Sequence, residues 1–226
     1  MSIQERKIGP LTVLDVQEEE TTEIIILMHG YGANKEDLFP LHKKIKAKKG
    51  TRWIFPDAPN KMEMGGYTGR AWFPILSSDI DYVAKVGGLD FSGLVPKGLQ
   101  QANEAVNAMI DALNFPFEKI TVGGFSQGAM LSTDVVLHRT SSPAGLVILS
   151  GTLVNEKNWS ELAKAKSKLQ FFQSHGNADM VLPFRGGKNL ESVLRNSGLS
   201  GEFVEFGGGH EIPDKVCKRL GEYLQR

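Results

Sequence analysis

The feature of the sequence that most constrains its fold is the stretch from Ile120 to Met130, ITVGGFSQGAM. It opens with three β-branched residues, which are typical of a buried strand, and closes with small residues that suit a helix start. Between them, residues 124–128 fit G-x-S-x-G, a pattern whose glycines allow a sharp turn that holds a serine above the end of a strand. The pattern alone is weak in a chain with 25 glycines, but here it has the strand and helix context that it requires.

The composition excludes several classes of function. The chain has 226 residues, of which 41% are hydrophobic and 23% charged, and its formal net charge of +0 gives no field that favours nucleic acid. Its one cysteine, Cys217, excludes an internal disulfide, gives no metal cluster and favours a cytoplasmic location. Residues 1–7 lack the apolar run of a secretory signal, and no stretch approaches the roughly 20 apolar residues of a membrane span. We therefore expect no integral membrane association.

Apolar runs alternate with helical stripes along the chain. The expected strands are 11–16 at an edge, 23–28, 52–56, the run before Ser126, 145–151, 169–176 and 201–206. The expected helices are 35–49, 97–113, 127–138, 158–168, 184–195 and 212–224. This alternation predicts one α/β domain over residues 1–226, with a mostly parallel central sheet and helices on both faces.

Ser126 is the candidate nucleophile, although a serine can also simply fill a tight turn. A serine hydroxyl needs a base to take its proton, and the base needs an acid to orient it. Where this motif carries a catalytic serine, the acid and then the histidine follow it in the chain. His210 is the histidine that fits, on a glycine-rich loop between a strand and a helix. His29 and His175 also end strands, but they come before Ser126 and before Asp179 in the chain. His42 and His138 lie within helical patterns.

Asp179 is the candidate acid because it follows a predicted strand end, where the catalytic groups of open α/β sheets collect. Asp214 and Asp134 remain alternatives, although both lie within helical patterns. The oxyanion of a tetrahedral intermediate also needs N–H donors. We assign these to the backbone of Gln127, directly after the serine, and of Tyr31, on the loop that ends the strand 23–28.

Residues 61–96 show little periodicity and carry several aromatic side chains, which is typical of a functional or mobile segment. Apolar side chains on a loop near a catalytic serine suit an acyl chain, but they equally suit a local core under a long loop. The side chains that we assign to substrate binding are Trp72, Phe73, Leu76 and Leu182.

Together these segments resemble the phospholipase/carboxylesterase family, which includes the acyl-protein thioesterases and small bacterial carboxylesterases. The matching segments are 27–32 with Asp37, 55–59, 70–73, 123–129, 150–151, 175–179 and 209–211. The resemblance implies an α/β-hydrolase with a triad of Ser126, Asp179 and His210, which acts without a metal or cofactor. Phe73-Pro74 and Tyr31 depart from the family pattern at positions where the acyl pocket is expected, so they bear on substrate choice.

These expectations lead to a serine carboxylesterase that hydrolyses short to medium acyl esters through an acyl-enzyme. An acyl-protein thioesterase or a lysophospholipase is the alternative, since all three share the same acylation chemistry. A catalytically silent hydrolase-fold binding protein is the alternative outside enzymes. The expected partner is a small-molecule acyl ester, and a homodimer is compatible with such a domain although no residue argues for it.

Overall fold

The computed structural model, which describes residues 1–64, 67–76 and 91–226, contains an eight-stranded sheet in the order β1-β2-β4-β3-β7-β8-β9-β10. These strands are β1 (Ser2–Ile8), β2 (Leu11–Gln17), β3 (Glu23–Met28), β4 (Thr51–Pro56), β7 (Ile120–Phe125), β8 (Gly145–Leu149), β9 (Gln170–Gly176) and β10 (Ser200–Phe206). A separate hairpin pairs β5 (Asn60–Met64) with β6 (Tyr67–Ala71). In the large sheet β1 and β2 run antiparallel to their neighbours, and the other pairings are parallel.

Helices cover both faces of the sheet. They are α1 (Leu41–Lys44), α2 (Leu99–Ala112), α3 (Gln127–His138), α4 (Glu156–Ala163), α5 (Phe184–Asn196) and α6 (Asp214–Leu224). Buried side chains of α2 to α5 join the core on one face, and those of α1 and α6 join the core on the other. The predicted three-layer α/β architecture with a mostly parallel sheet is therefore confirmed.

The apolar run of strand β3 is continuous because both faces of the strand are buried. Ile24 and Ile26 pack into the core beneath α2 and α3, whereas Ile25 and Leu27 pack into the core on the opposite face. A strand that is covered by helices on both faces needs apolar residues at every position rather than at alternate ones. Cys217 is also a core residue, in α6, where burial raises the pKa of its thiol.

Strand β1 corrects the prediction that residues 11–16 form an edge strand. Six of its seven residues are exposed, so it has no apolar alternation that the sequence could reveal. It pairs along its whole length with β2 and becomes the edge itself.

The expected helix over residues 35–49 is wrong, because only Leu41–Lys44 is helical. The carboxylate of Asp57 accepts hydrogen bonds from the amide and the ammonium of Lys35, and these bonds tie the start of the segment into a loop. Ile45 then adopts an extended backbone, with φ −94° and ψ 119°. Leu38, Leu41 and Ile45, the apolar residues of the helical pattern, are nevertheless buried.

The segment 61–96 is partly regular, since it begins with the β5–β6 hairpin. Residues 65–66 and 77–90 of this stretch lie outside the described residues. Among the helices that the structure describes, none combines the length and apolar character needed to cross a bilayer.

Candidate active site

Ser126 lies at a sharp turn between β7 and α3. Its backbone has φ 55° and ψ −118°, which is a strained conformation for a residue with a side chain. The Ser126 amide donates to the Leu149 carbonyl at 2.9 Å, and its own carbonyl accepts from the amides of Ala129 and Met130. These bonds fix the turn, so that the hydroxyl stands at the carboxyl edge of the sheet.

Gly128 makes this turn possible because α3 crosses directly beside the end of β3. A Cβ atom on Gly128 would lie closer than 3.0 Å to the backbone oxygens of Met28 and His29. Backbone atoms cannot move aside as a flexible side chain can. The second glycine of the motif is therefore required by the packing of α3 against β3.

We expect Gly128→Ala to lower the free energy of unfolding by at least about 3 kcal/mol, although alanine by itself favours a helix. Urea denaturation followed by circular dichroism measures this change. Gly207→Ala is the matched control, because a Cβ there would meet no described atom within 4 Å. Equal stability of the two variants would contradict the packing argument.

The structure brings Ser126, His210 and Asp179 into one hydrogen-bonded chain. Nε2 of His210 lies 2.8 Å from Oγ of Ser126, and Nδ1 lies 2.7 Å from Oδ2 of Asp179. An Nδ1–H that donates to the carboxylate leaves the Nε2 lone pair facing the serine hydroxyl. In this arrangement the imidazole can accept the Ser126 proton, and the buried carboxylate can stabilise the resulting positive charge.

Asp179 is held by the loop that follows β9. Its Oδ1 accepts from the amides of Val181 and Leu182, each at 2.8 Å, while Oδ2 faces His210. The two alternative acids lie elsewhere. The Asp214 side chain is 89% exposed and pairs with Lys44, and Asp134, a buried residue of α3, accepts from Trp159 Nε1 and Asn103.

Tyr31 and Gln127, whose backbone amides were assigned as oxyanion donors, both line the pocket that opens over the serine. Among the backbone hydrogen bonds of turns and loops in the described residues, neither amide is a donor. Their role as oxyanion donors stays a prediction.

The pocket is apolar apart from a few groups and has a volume of about 460 Å³. Its walls are formed by side chains from several loops together with the serine and histidine. The residues that line it are Gly30, Tyr31, Ala33, Asp37, Phe73, Ile75, Phe91, Phe125, Ser126, Gln127, Met130, Val181, Leu182 and His210. Phe73 and Leu182, which were assigned to substrate binding, both line this pocket, and their role in binding stays a prediction.

Trp72 and Leu76 are not among the lining residues, and Ile75 lines the pocket instead of Leu76. Trp72 is buried beneath the site, where its Nε1 donates to the His29 carbonyl at 2.9 Å. Its amide donates to Oε1 of Gln127, while Nε2 of Gln127 donates to the Phe73 carbonyl. The Gln127 side chain therefore joins the serine turn to the pocket wall, a role that sequence reasoning missed.

An ion-pair cluster around the buried Asp57 holds the loop that carries Tyr31. Nε of Arg70 lies 3.2 Å from the Asp57 carboxylate, which also pairs with Lys35. The backbone of Arg70 pairs with the loop at Gly32 and Ala33. Hairpin β5–β6 thereby clamps the loop, and no periodicity in the sequence could have revealed this contact.

His29 is a buried histidine that the fold keeps neutral. Its Nδ1 lies 2.7 Å from the Gly30 carbonyl, and its Nε2 accepts from the Ala58 amide at 3.1 Å. A second ring proton would have to face that N–H donor. Burial accordingly lowers the pKa of His29 to about 4, from an ordinary value of 6.5.

Because the unfolded chain takes up this proton near pH 6.5 and the folded chain only near pH 4, stability falls as the pH drops between these values. We expect His29 to make the protein about 2 kcal/mol less stable at pH 5 than at pH 7.5. Urea denaturation of wild type and His29→Gln over this range tests the expectation. The variant should lose less stability than wild type on acidification, and parallel pH dependences would contradict it.

No three His, Cys, Asp or Glu side chains within residues 1–64, 67–76 and 91–226 lie close enough together to hold a metal ion. The groups that the site offers for chemistry are the serine hydroxyl, the imidazole, the carboxylate and the two amides.

Comparison with known proteins identifies relatives over nearly the whole chain. The family model described as Phospholipase/Carboxylesterase matches residues 12–226. A probable carboxylesterase of Oryza sativa subsp. japonica is 32% identical over 210 residues, which are 89% of this chain and 76% of the relative. Acyl-protein thioesterase 1 of Mycosarcoma maydis is 29% identical over 219 residues, which are 91% of each chain.

The fold is equally close to solved structures. The crystal structure of Arabidopsis thaliana SOBER1 superposes with a TM-score of 0.72 at 25% identity, and the match covers 89% of this chain and 97% of that one. With the family model matched over residues 12–226, the chain belongs to the phospholipase/carboxylesterase family and is a serine hydrolase of the α/β-hydrolase fold.

Proposed function

We propose that the protein is a carboxylesterase that hydrolyses short to medium acyl esters through a triad of Ser126, His210 and Asp179. The observation that carries the proposal is the hydrogen-bonded chain from the Ser126 hydroxyl through His210 to Asp179, at the mouth of an apolar pocket. The imidazole lies within hydrogen-bond distance of the hydroxyl whose proton it would accept, and the carboxylate lies within hydrogen-bond distance of the imidazole that it would orient.

In the first half of the reaction, Oγ of Ser126 attacks the acyl carbonyl carbon while Nε2 of His210 takes the hydroxyl proton. The carbonyl oxygen becomes an oxyanion and accepts hydrogen bonds from the amides of Tyr31 and Gln127. Asp179 holds the imidazole through Nδ1–H and stabilises its positive charge. His210 then gives its proton to the leaving oxygen, and the acyl group stays on Ser126.

In the second half, His210 takes a proton from water, whose oxygen attacks the acyl carbon. The bond to Oγ breaks, the proton returns to Ser126, and the carboxylic acid leaves. The same two amides stabilise the second oxyanion. Apart from the ester and one water molecule nothing has to be supplied, because each proton that His210 accepts is returned in the same half-reaction.

The pocket supports the choice of acyl length. Its apolar walls would bury a hydrocarbon chain next to Ser126, and a volume of about 460 Å³ lies in the lower part of the range for small-molecule sites. A series of p-nitrophenyl esters of increasing acyl length tests the proposal. We expect a burst of product, which marks the acyl-enzyme, and an optimum at short to medium chains. A folded protein that turns over none of these esters would overturn the proposal.

An acyl-protein thioesterase is the second candidate, because the relative from Mycosarcoma maydis has that name and the match covers 91% of its length. A thioester and an oxygen ester present the same carbonyl to Ser126, so the triad alone does not choose between them. Matched acyl thioesters and p-nitrophenyl esters of one chain length separate the two. A kcat/KM at least about tenfold higher for the thioester would favour the thioesterase, and lysolipids assayed in parallel test the lysophospholipase.

The remaining expectations stay predictions. They are a single domain, a cytoplasmic location, no nucleic-acid partner, no cofactor and a homodimer as a compatible state. Cell fractionation tests the location, and light scattering of the purified protein measures its mass in solution.

A further inference from the structure

His175, the last residue but one of β9, lies directly behind the Asp179 carboxylate and takes no part in the proton transfers described above. Its side chain is fully buried, as is that of Asp179. Nε2 of His175 lies 2.7 Å from the Leu182 carbonyl and 3.4 Å from Oδ2 of Asp179. Since a carbonyl can only accept, Nε2 carries the ring proton and donates it to Leu182.

The Leu182 peptide is therefore held at both ends. Its amide donates to Oδ1 of Asp179, and its carbonyl accepts from His175. Oδ2 of the same carboxylate accepts from Nδ1 of His210. A continuous line of hydrogen bonds thus runs from His175 through the Leu182 peptide and Asp179 to the imidazole that faces the serine.

The other ring nitrogen of His175 is held mainly by packing. Nδ1 lies against Gly187 in α5, and the backbone of Gly151 gives the ring a further, weaker polar contact. A Cβ on Gly187 would lie closer than 3.0 Å to Nδ1. The ring of Phe184 meets the imidazole edge to face, with centroids 6.0 Å apart.

We propose that His175 is a positioning residue for the hydrolysis, which holds the Leu182 peptide and through it the Asp179 carboxylate in the orientation that His210 requires. The inference rests on the proposed function, because it assigns Asp179 the task of orienting the base. The titratable groups that face His175 are Asp179 and His210. Burial lowers the pKa of His175, which keeps the imidazole neutral beside the carboxylate.

The decisive comparison is between His175→Leu and His175→Gln, because glutamine keeps an N–H donor for the Leu182 carbonyl and leucine does not. We expect His175→Leu to lower kcat by about tenfold or more with KM changed less than about twofold. A displaced Asp179 stabilises the imidazolium less, so the acid limb of the kcat/KM profile should move to lower pH by roughly half a unit or more. His175→Gln should recover most of both losses.

A merely structural role would lower stability but leave kcat and the pH profile of the folded variant unchanged. That result for His175→Leu would overturn the inference, as would a His175→Gln variant that loses as much as His175→Leu. If wild type hydrolyses no ester and resists a fluorophosphonate probe, the proposed function itself fails. If wild type hydrolyses esters and the His175 variants keep its kcat and pH profile, the role of His175 is refuted while the proposed function stands.

Gly187→Ala supplies a test that does not depend on the folding of His175→Leu. It keeps the imidazole but its Cβ displaces the ring, whereas the Cβ of Gly186→Ala on the same helix would meet Oγ1 of Thr152 instead. We expect Gly187→Ala to move the pH profile and Gly186→Ala to leave it where it is in wild type. Two variants with the same profile would overturn the inference.

Discussion

Replacing Ser126 with alanine is expected to lower kcat/KM for p-nitrophenyl esters by about 10⁵-fold, because the oxygen that attacks the acyl carbon is gone. His210→Ala should lose nearly as much, since the hydroxyl then has no base within 2.8 Å. The two residues act as one unit. The double variant should therefore be no slower than either single variant, and this non-additivity is the sharpest sign of a shared step.

Ser132→Ala is the matched control for the serine. Ser132 lies in α3, the helix that follows Ser126, is fully buried, and donates to the Ala129 carbonyl. Its removal should leave kcat/KM within about twofold of wild type. Thermal unfolding of all variants shows that lost activity is not lost structure. A Ser126→Ala variant with wild-type turnover would end the assignment of the nucleophile.

Asp179→Asn is expected to lower kcat by about 10⁴-fold while the protein stays folded. An asparagine turns its amide towards Nδ1 of His210, which must then accept a hydrogen bond instead of donating one. The ring proton moves to Nε2, where it faces the Ser126 hydroxyl and blocks its deprotonation. The rate constant for labelling by a fluorophosphonate probe should fall in parallel, since labelling needs the same activated serine.

The two alternative acids serve as controls for this substitution. Asp214→Asn removes an exposed ion pair with Lys44 and should leave both activity and stability near wild type. Asp134→Asn disturbs a buried network and should lower stability without a comparable loss of kcat in the folded protein. An inactive Asp214→Asn beside an active Asp179→Asn would reverse the assignment.

The sheet could be predicted because its parallel strands are buried on both faces. Strands such as β3 and β8 are continuous apolar runs, and this pattern can be recognised without knowing which strands lie next to them. β1 could not be predicted, since its six exposed residues carry no periodic apolar signal. The helix expected over 35–49 failed because Asp57, twenty-two residues away, holds Lys35 in a loop.

The same distinction applies to the site. That Ser126, Asp179 and His210 meet in space could be predicted, because strand ends meet at one edge of a parallel sheet and their order in the chain selects the residues. The wall of the pocket was predicted only in part. Whether Trp72 faces substrate or core depends on the hydrogen bonds that the Gln127 side chain makes with the backbone of Trp72 and Phe73. The local sequence around Trp72 does not indicate these long-range bonds.

The spacing of the serine and its base also has a consequence for biosynthesis. Ser126 and His210 are 84 residues apart, and three strands of the sheet lie between them. A ribosome that has completed the nucleophile turn must still produce β8, β9 and β10 before any base can reach the serine. Under the proposed mechanism, the nascent chain is thus expected to be unreactive towards cellular esters for most of its synthesis, and proteolytic fragments that end before His210 are expected to be inert as well.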